Sequence, residues 1–429
     1  MRVRREHDRE PGSARRPVLP TPGHPAVAQM LTLQRRVGNR AAQAVLLQRQ
    51  VAEEPAGPLD AGQVTAAIRF HTRQPTRYTP EIVREIQARV GVEQTGVADA
   101  ATVQAIATFQ QTEGTEHPEL KVDGMAGPRT LPRMFPTGLK GPGEAQRFGE
   151  EAQTEVIDRW HELTPQQRAA ELVRLVNVHL EAAGVPAVTP NPSDTGTNLG
   201  TFDFTTWAMD VGVEALAIAQ PDRAQAADVV DTIYHEARHA EQWFRIAQLR
   251  ALQRRRGEGT AEDERLGRAI AAELQIPRRI ADRAVTSPPR FALGSMEALI
   301  AQGWFDSVYG SGSTRRNQVL TELDRAGTAL ERAEQRFADN PTPQNEAALE
   351  RARARRTRAL DGHAQLPEEN DAFPTGASTA AGVTRGAPPP PPAPPPGPAP
   401  GAGGAALVPS QLDGLETALA QLTGAAARA

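Results

Sequence analysis

Apolar residues recur at helical spacing along much of this chain, and each recurrence predicts an element. Met30, Leu31, Leu33, Val37, Ala41, Val45 and Leu46 predict an amphipathic helical segment over 27–52, hinged at Gly38-Asn39. Ile82, Val83, Ile86 and Val90 lie on one helical face, and Val103, Ile106, Ala107 and Phe109 lie on another. The string TGVADAAT between them supplies a turn and an N-cap region. TPQQRAAELVRLVNVHLEAAGV opens with Thr164 and Gln167 at capping-box spacing and carries Leu172, Val173, Leu175, Val176, Val178 and Leu180 as its apolar side. A long helix follows in AQAADVVDTIYHEARHAEQWFRIAQLRALQRR, with Val229, Val230, Ile233, Ala237, Ala240, Phe244 and Ala247 on the side expected to be buried. Between these two helices TFDFTTWAMDVGVEA is rich in Phe, Thr, Trp and Val and predicts one or two strands. Leu320, Leu323, Leu330 and Phe337 form a heptad-like stripe on the first arm of an antiparallel helical pair over 314–362 that turns at DNPTPQ.

The segments without such periodicity divide the chain. Residues 1–26 carry charge and Pro with nothing to bury, which predicts a disordered tail. Residues 387–405 are Pro and Gly without a core and predict an extended linker, and 406–429 predict an amphipathic helix on that tether. The expected architecture is therefore multidomain and mainly α with a small β-sheet: a small three-helix domain over 76–136 and an α+β domain over 145–380. The helical pair 314–362 is an insertion in the second. A length of 429 residues agrees, because one core seldom serves so long a chain.

Charge and composition then remove function classes. A formal net charge of -4 gives no electrostatic case for nucleic acid. No apolar run approaches the 18 or so residues that span a bilayer. The basic N-terminus continues into Pro and Gly rather than an apolar stretch, so no secretory signal is read and the chain is expected to be made in the cytoplasm. There is no cysteine, which excludes disulfides, thiolate metal sites and cysteine nucleophiles together; a metal must be held by His, Asp or Glu.

One string meets that requirement. In YHEARHAEQ, His235 and His239 are four residues apart, so on a helix they project from one face and can share a tetrahedral ion. Glu236 follows the first histidine and is placed to act as general base on a metal-bound water. An open catalytic zinc site needs a third protein ligand. His363 is the next histidine in the chain and lies far beyond short motif spacing, so a carboxylate is expected. The candidates are Glu297 in GSMEALIAQGW, Asp306 in WFDSVY, and Glu368, Glu369 or Asp371 in LPEENDAF. Arg238 reads either as a partner of a carboxylate near the metal or, the reading preferred on sequence, as a surface residue.

Four resemblances add to this reading. LPEENDAF resembles the second helix of gluzincin metallopeptidases, which implies Glu369 as the zinc ligand, Ala372 as a small packing residue and Asp371 as a partner that orients a histidine. Glu368 and Glu297 remain rivals for the ligand. The helix, strand, helix order over 145–245 is similar to that of zincin domains, in which the strand before the metal helix pairs with extended substrate; this implies a substrate edge within Phe202 to Val211. Gly96, Asp99, Thr102, Phe109, Gln110, Asp123, Gly124, Gly127 and Thr130 resemble the three-helix peptidoglycan-binding-like domain, with TEGTEHPELK lengthening the loop before Asp123. LQRRVGNRAAQAVLLQRQ resembles a segment near the N-termini of proteins associated with extracellular contractile injection systems, which implies delivery by, or association with, such an apparatus. The function expected is zinc-dependent hydrolysis of protein or peptidoglycan peptides. The competing expectation is a non-catalytic interaction protein that keeps the metallopeptidase fold.

Overall fold

The computed structural model describes residues 59–116, 120–193 and 199–388. The expected tail over 1–26, the helical segment over 27–52, the linker from residue 389 onward and the helix over 406–429 lie outside the described residues.

The described residues are mainly helical with one small sheet. It begins with α1 (Ala61–Thr72), α2 (Pro80–Val90) and α3 (Ala100–Glu116). α1 starts on a capping box between Asp60 and Gln63 and packs on α3. Its helical pattern is faint in the sequence because its buried side consists of Ala67 and His71. The imidazole of His71 accepts a hydrogen bond from the Ala126 N–H, 3.2 Å away, so α1 completes the unit expected to start at residue 76.

Two buried glutamines organise the turns of this unit in the same way. Gln87 donates through Nε2 to Thr95, to the Val97 carbonyl and to Thr102, and accepts from the Gly96 N–H. Gln110 donates to Asp123, the Met125 carbonyl and Thr130, and accepts from the N–H groups of Asp123 and Gly124. Gly96 and Gly124 both have φ above 70° or at it, a conformation that favours glycine, and so turn their N–H groups inward. Asp99 caps α3 by accepting from the Thr102 N–H and hydroxyl. The unit ends in the short helix α4 (Leu131–Met134) and a 3₁₀ turn at Gly138–Lys140.

α5 (Glu144–Ala152) runs through a π turn, and α6 (Pro165–Ala182) follows with the Thr164–Gln167 capping box the sequence predicts. Its apolar face is buried as expected, except that Val178 is 55% exposed. The sheet has the order β1-β3-β2, with β1 (Thr189–Ser193) parallel to β3 (Ala208–Gly212) and β2 (Gly200–Asp203) antiparallel to it. Phe202 pairs with Met209 and Asp203 with Ala208. The expected strand region is thus a hairpin whose second strand, β3, is central, so Ala208 to Val211 cannot serve as a substrate edge. Within the expected segment, only β2 lies at an edge of the sheet.

After α7 (Val213–Leu216) comes the long helix α8 (Arg223–Arg254), then α9 (Thr260–Leu274), α10 (Arg278–Thr286) and α11 (Met296–Val308). The helical pair is α12 (Ser313–Asp339) and α13 (Pro343–Ala364), and α14 (Pro367–Ala377) closes the fold. α8 lies at the centre, touching α5, α6, β2, α10, α11 and α14. Its apolar side is buried as predicted, and so is much of its polar side, including His235, Glu236, Arg238, His239, Glu241 and Gln242. Burial of so many polar groups requires that they be paired with one another or with neighbouring elements. The apolar core is continuous from Tyr78 to Ala387, so residues of the three-helix unit contribute to the same core as α8.

Candidate metal centre

Ordinary helix chemistry brings the three donors together. α8 begins at the Asp222–Gln225 capping box and runs without a break through His235 and His239, which therefore stack on one face. α14 starts with Pro367 in its first turn beside Glu368 and Glu369, where both the fixed proline φ and the carboxylate charge are favourable. It then lies against α8 through Ala372, which is fully buried, and Gly376. A Cβ on Gly376 would sit 2.8 Å from the Asp231 carbonyl oxygen and 3.1 Å from His235 Cβ, so glycine is what permits this approach.

The result is a triangle. The Nε2 atoms of His235 and His239 are 3.1 Å apart, and Glu369 Oε2 lies 3.5 Å from the first and 3.4 Å from the second. Three ligands on a tetrahedral zinc with bonds of about 2.0–2.1 Å are about 3.3–3.4 Å from one another. The edges match that figure, so the donor set fits a small tetrahedral cation in both chemistry and size. Among the described residues these three form the group able to hold a metal ion.

The second sphere fixes one histidine in the tautomer a metal needs. His239 Nδ1 is 2.9 Å from Gln242 Oε1. The amide is oriented by its own Nε2, which donates to the Glu368 carbonyl and to Asp371 Oδ2, each at 2.9 Å. In the neutral ring that can bind a metal, His239 therefore carries its proton on Nδ1 and turns the Nε2 lone pair to the triangle. Asp371 orients the histidine one step further out than the resemblance implied, through Gln242 instead of directly. It also receives Arg238 Nε at 2.8 Å and Lys140 Nζ at 2.9 Å. Arg238 is 2% exposed, and its Nη1 also donates to Glu241 and to the Thr137 carbonyl; the preferred surface reading is wrong, and the alternative of a carboxylate partner near the site is what the structure shows. A buried guanidinium survives here because two carboxylates and a carbonyl replace its water.

These contacts set the protonation of the site. Burial raises the Glu369 carboxyl, but the surrounding histidines outweigh it and hold the group well below its ordinary value. Burial likewise opposes Asp371, and Arg238 and Lys140 reverse it, leaving the group below the usual carboxylate range. Burial lowers His239, yet Glu369 carries it up to about 9, while burial pushes His235 down. Glu236 is pushed up to about 7, chiefly by burial. Its Oε2 accepts the Phe202 N–H of β2 at 2.8 Å, so the edge strand and the carboxylate beside the triangle are joined.

The other sequence candidates are elsewhere. Glu368 is fully buried against Arg316 of α12, with Nε 2.5 Å from Oε1. Glu297 lines a separate cavity of about 220 Å³ with Thr137, Arg245 and Trp304. Asp306 pairs with Arg77 and Gln302. His363, set aside on sequence distance, lies 3.4 Å from Glu369 Oε1. Its distance from His239 along the chain hid it, although it lies only six residues before Glu369.

Comparison with known proteins finds no family model, no curated relative and no solved structure that matches the chain. The functional reading therefore stands on the geometry of these residues.

Proposed function

We propose that this chain is a zinc-dependent metallopeptidase, and the observation that supports it most is the convergence of His235, His239 and Glu369 beside Glu236. With no thiol in the chain, two imidazoles and a carboxylate are the donor set of a catalytic zinc site that keeps a position open. Zinc held there would polarise the scissile carbonyl and acidify a water near neutral pH. Glu236 takes the water's proton and returns it to the leaving amine, a task suited to a carboxyl raised to about 7. The Phe202 N–H holds Oε2 of that base. The products are a carboxylate and an amine from one peptide bond and one water. The resemblance of the three-helix unit points to peptidoglycan peptides beside proteins as substrates, and that of LQRRVGNRAAQAVLLQRQ to delivery by a contractile injection apparatus.

One observation favours a second reading. His235, His239, Glu236 and Glu369 are all 4% exposed or less, which suits a closed centre that serves the fold or a partner without turnover. One experiment separates the two. About one zinc per chain is expected, lost in both His235→Ala and His239→Ala, with Glu236→Gln retaining zinc but losing hydrolysis of casein or cross-linked peptidoglycan. Full zinc in the histidine variants removes the metal centre. Zinc loading that depends on both histidines, without hydrolysis by the wild type, selects the interaction protein.

A further inference from the structure

Glu369 divides its two oxygens between different neighbours. Oε2 faces the His235–His239 pair, at 3.5 and 3.4 Å, and Oε1 faces Nε2 of His363 at 3.4 Å. His363 is 6% exposed and stands at the end of α13, six residues before the carboxylate it meets. From the other arm of the pair, Arg316 of α12 holds the adjacent Glu368. The two arms thus secure neighbouring carboxylates at the start of α14, and only His363 acts on the one in the metal triangle.

Resting on the metal-centre reading above, we propose that His363 is a positioning residue that keeps Glu369 a one-oxygen ligand. A carboxylate left to itself can bind a metal through one or both oxygens. With its proton on Nε2, the imidazole at 3.4 Å would compete for Oε1 and leave Oε2 to the ion. The coordination number then stays low enough for a water or substrate oxygen to take the remaining position. This is the carboxylate counterpart of the way Gln242 fixes His239, and such outer partners typically change metal affinity by about 10–100-fold when removed. His363 is not among the three residues whose ligand atoms converge, so its effect would pass through Glu369.

The test uses the full-length protein loaded with cobalt(II), whose visible absorption weakens as four-coordination gives way to five. His363→Leu keeps the volume and removes the N–H, and His363→Gln keeps a donor at about the place of Nε2. Wild type and His363→Gln are expected to share the intense four-coordinate band. His363→Leu should show a band weakened several-fold and cobalt bound about 10–100-fold less tightly. Equal spectra and affinities in all three proteins overturn the proposal, as does an equal loss in both variants, which would mark a purely structural role. A crystal structure of the zinc-loaded wild type gives a check that needs no variant: Glu369 bound through both oxygens with His363 turned away is also contrary to it. Failure of the metal-centre reading itself looks different, because then the wild type binds no cobalt or His235→Ala binds as much as wild type.

Discussion

Gln242 carries the orientation of His239 with a single amide, so its removal should be felt at the metal before it is felt in the fold. Gln242→Ala leaves the imidazole free to turn and to exchange tautomers, and we expect zinc bound about 10–100-fold less tightly, read by competition with a chelator. Unchanged affinity would show that the helix alone fixes the ring. Proton competition acts at the same residue. In the metal-free protein Glu369 carries His239 up to about 9, so at pH 7 the ring is protonated and must lose a proton to accept a metal. Apparent affinity should therefore rise with pH, about tenfold per unit from pH 7 until it levels near 9. A flat profile over that range, after correction for the chelator, would contradict the ion pair described here. The pentapeptide His235–His239 was legible because its spacing alone specifies the geometry. The choice between the two readings of Arg238 was not, since it depends on Asp371 far along the chain, and neither was His363, whose meaning depends on how the next helix turns Glu369 toward it.

Elements meet at this centre through small side chains. Ala372 and Gly376 let α14 lie close enough to α8 for Glu369 to reach the histidines, and a side chain at Gly376 has no room beside Asp231 and His235. Gly376→Val should force the helices apart, lowering stability by about 1–3 kcal/mol on thermal or denaturant unfolding, with zinc affinity falling in parallel. Stability lost while zinc affinity is kept would mean that Glu369 is positioned independently of this contact. The apolar sides of α6 and α8 were readable from periodicity. The strand β1 was not, because Pro190 and Pro192 argue against a strand, yet as an edge strand it tolerates them while pairing in parallel with β3. The burial of α8 on its polar side was equally hidden, since the partners arrive from the turn at 137–140 and from α14.

At the scale of the whole described chain, the three-helix unit is fastened to the part that carries the candidate metal centre. Arg77 pairs with Asp306, Arg133 donates to the Asn370 carbonyl, and the Leu139 N–H donates to Glu241 beside Arg238. A module that only recognised a wall polymer would not need such attachments to α11, α14 and α8. The helical pair is built on the opposite plan. Its contacts with the first turn of α14 come from Arg316 and His363, at the two ends that adjoin the rest of the fold, while α12 runs for about 40 Å. Asn340 to Thr342 at the turn therefore lie far along the chain from both fixed points, and what happens there changes no distance in the triangle. That turn is a natural splice site: a short epitope or a fluorescent reporter inserted after Asn340 should leave zinc content and thermal stability unaltered, the extra loop entropy being only about 0.6 kcal/mol per doubling of loop length. Loss of zinc on such an insertion would reveal strain transmitted along both arms. If the site is indifferent, the same turn offers a handle by which the protein can be followed wherever it is carried, without a label ever approaching the metal.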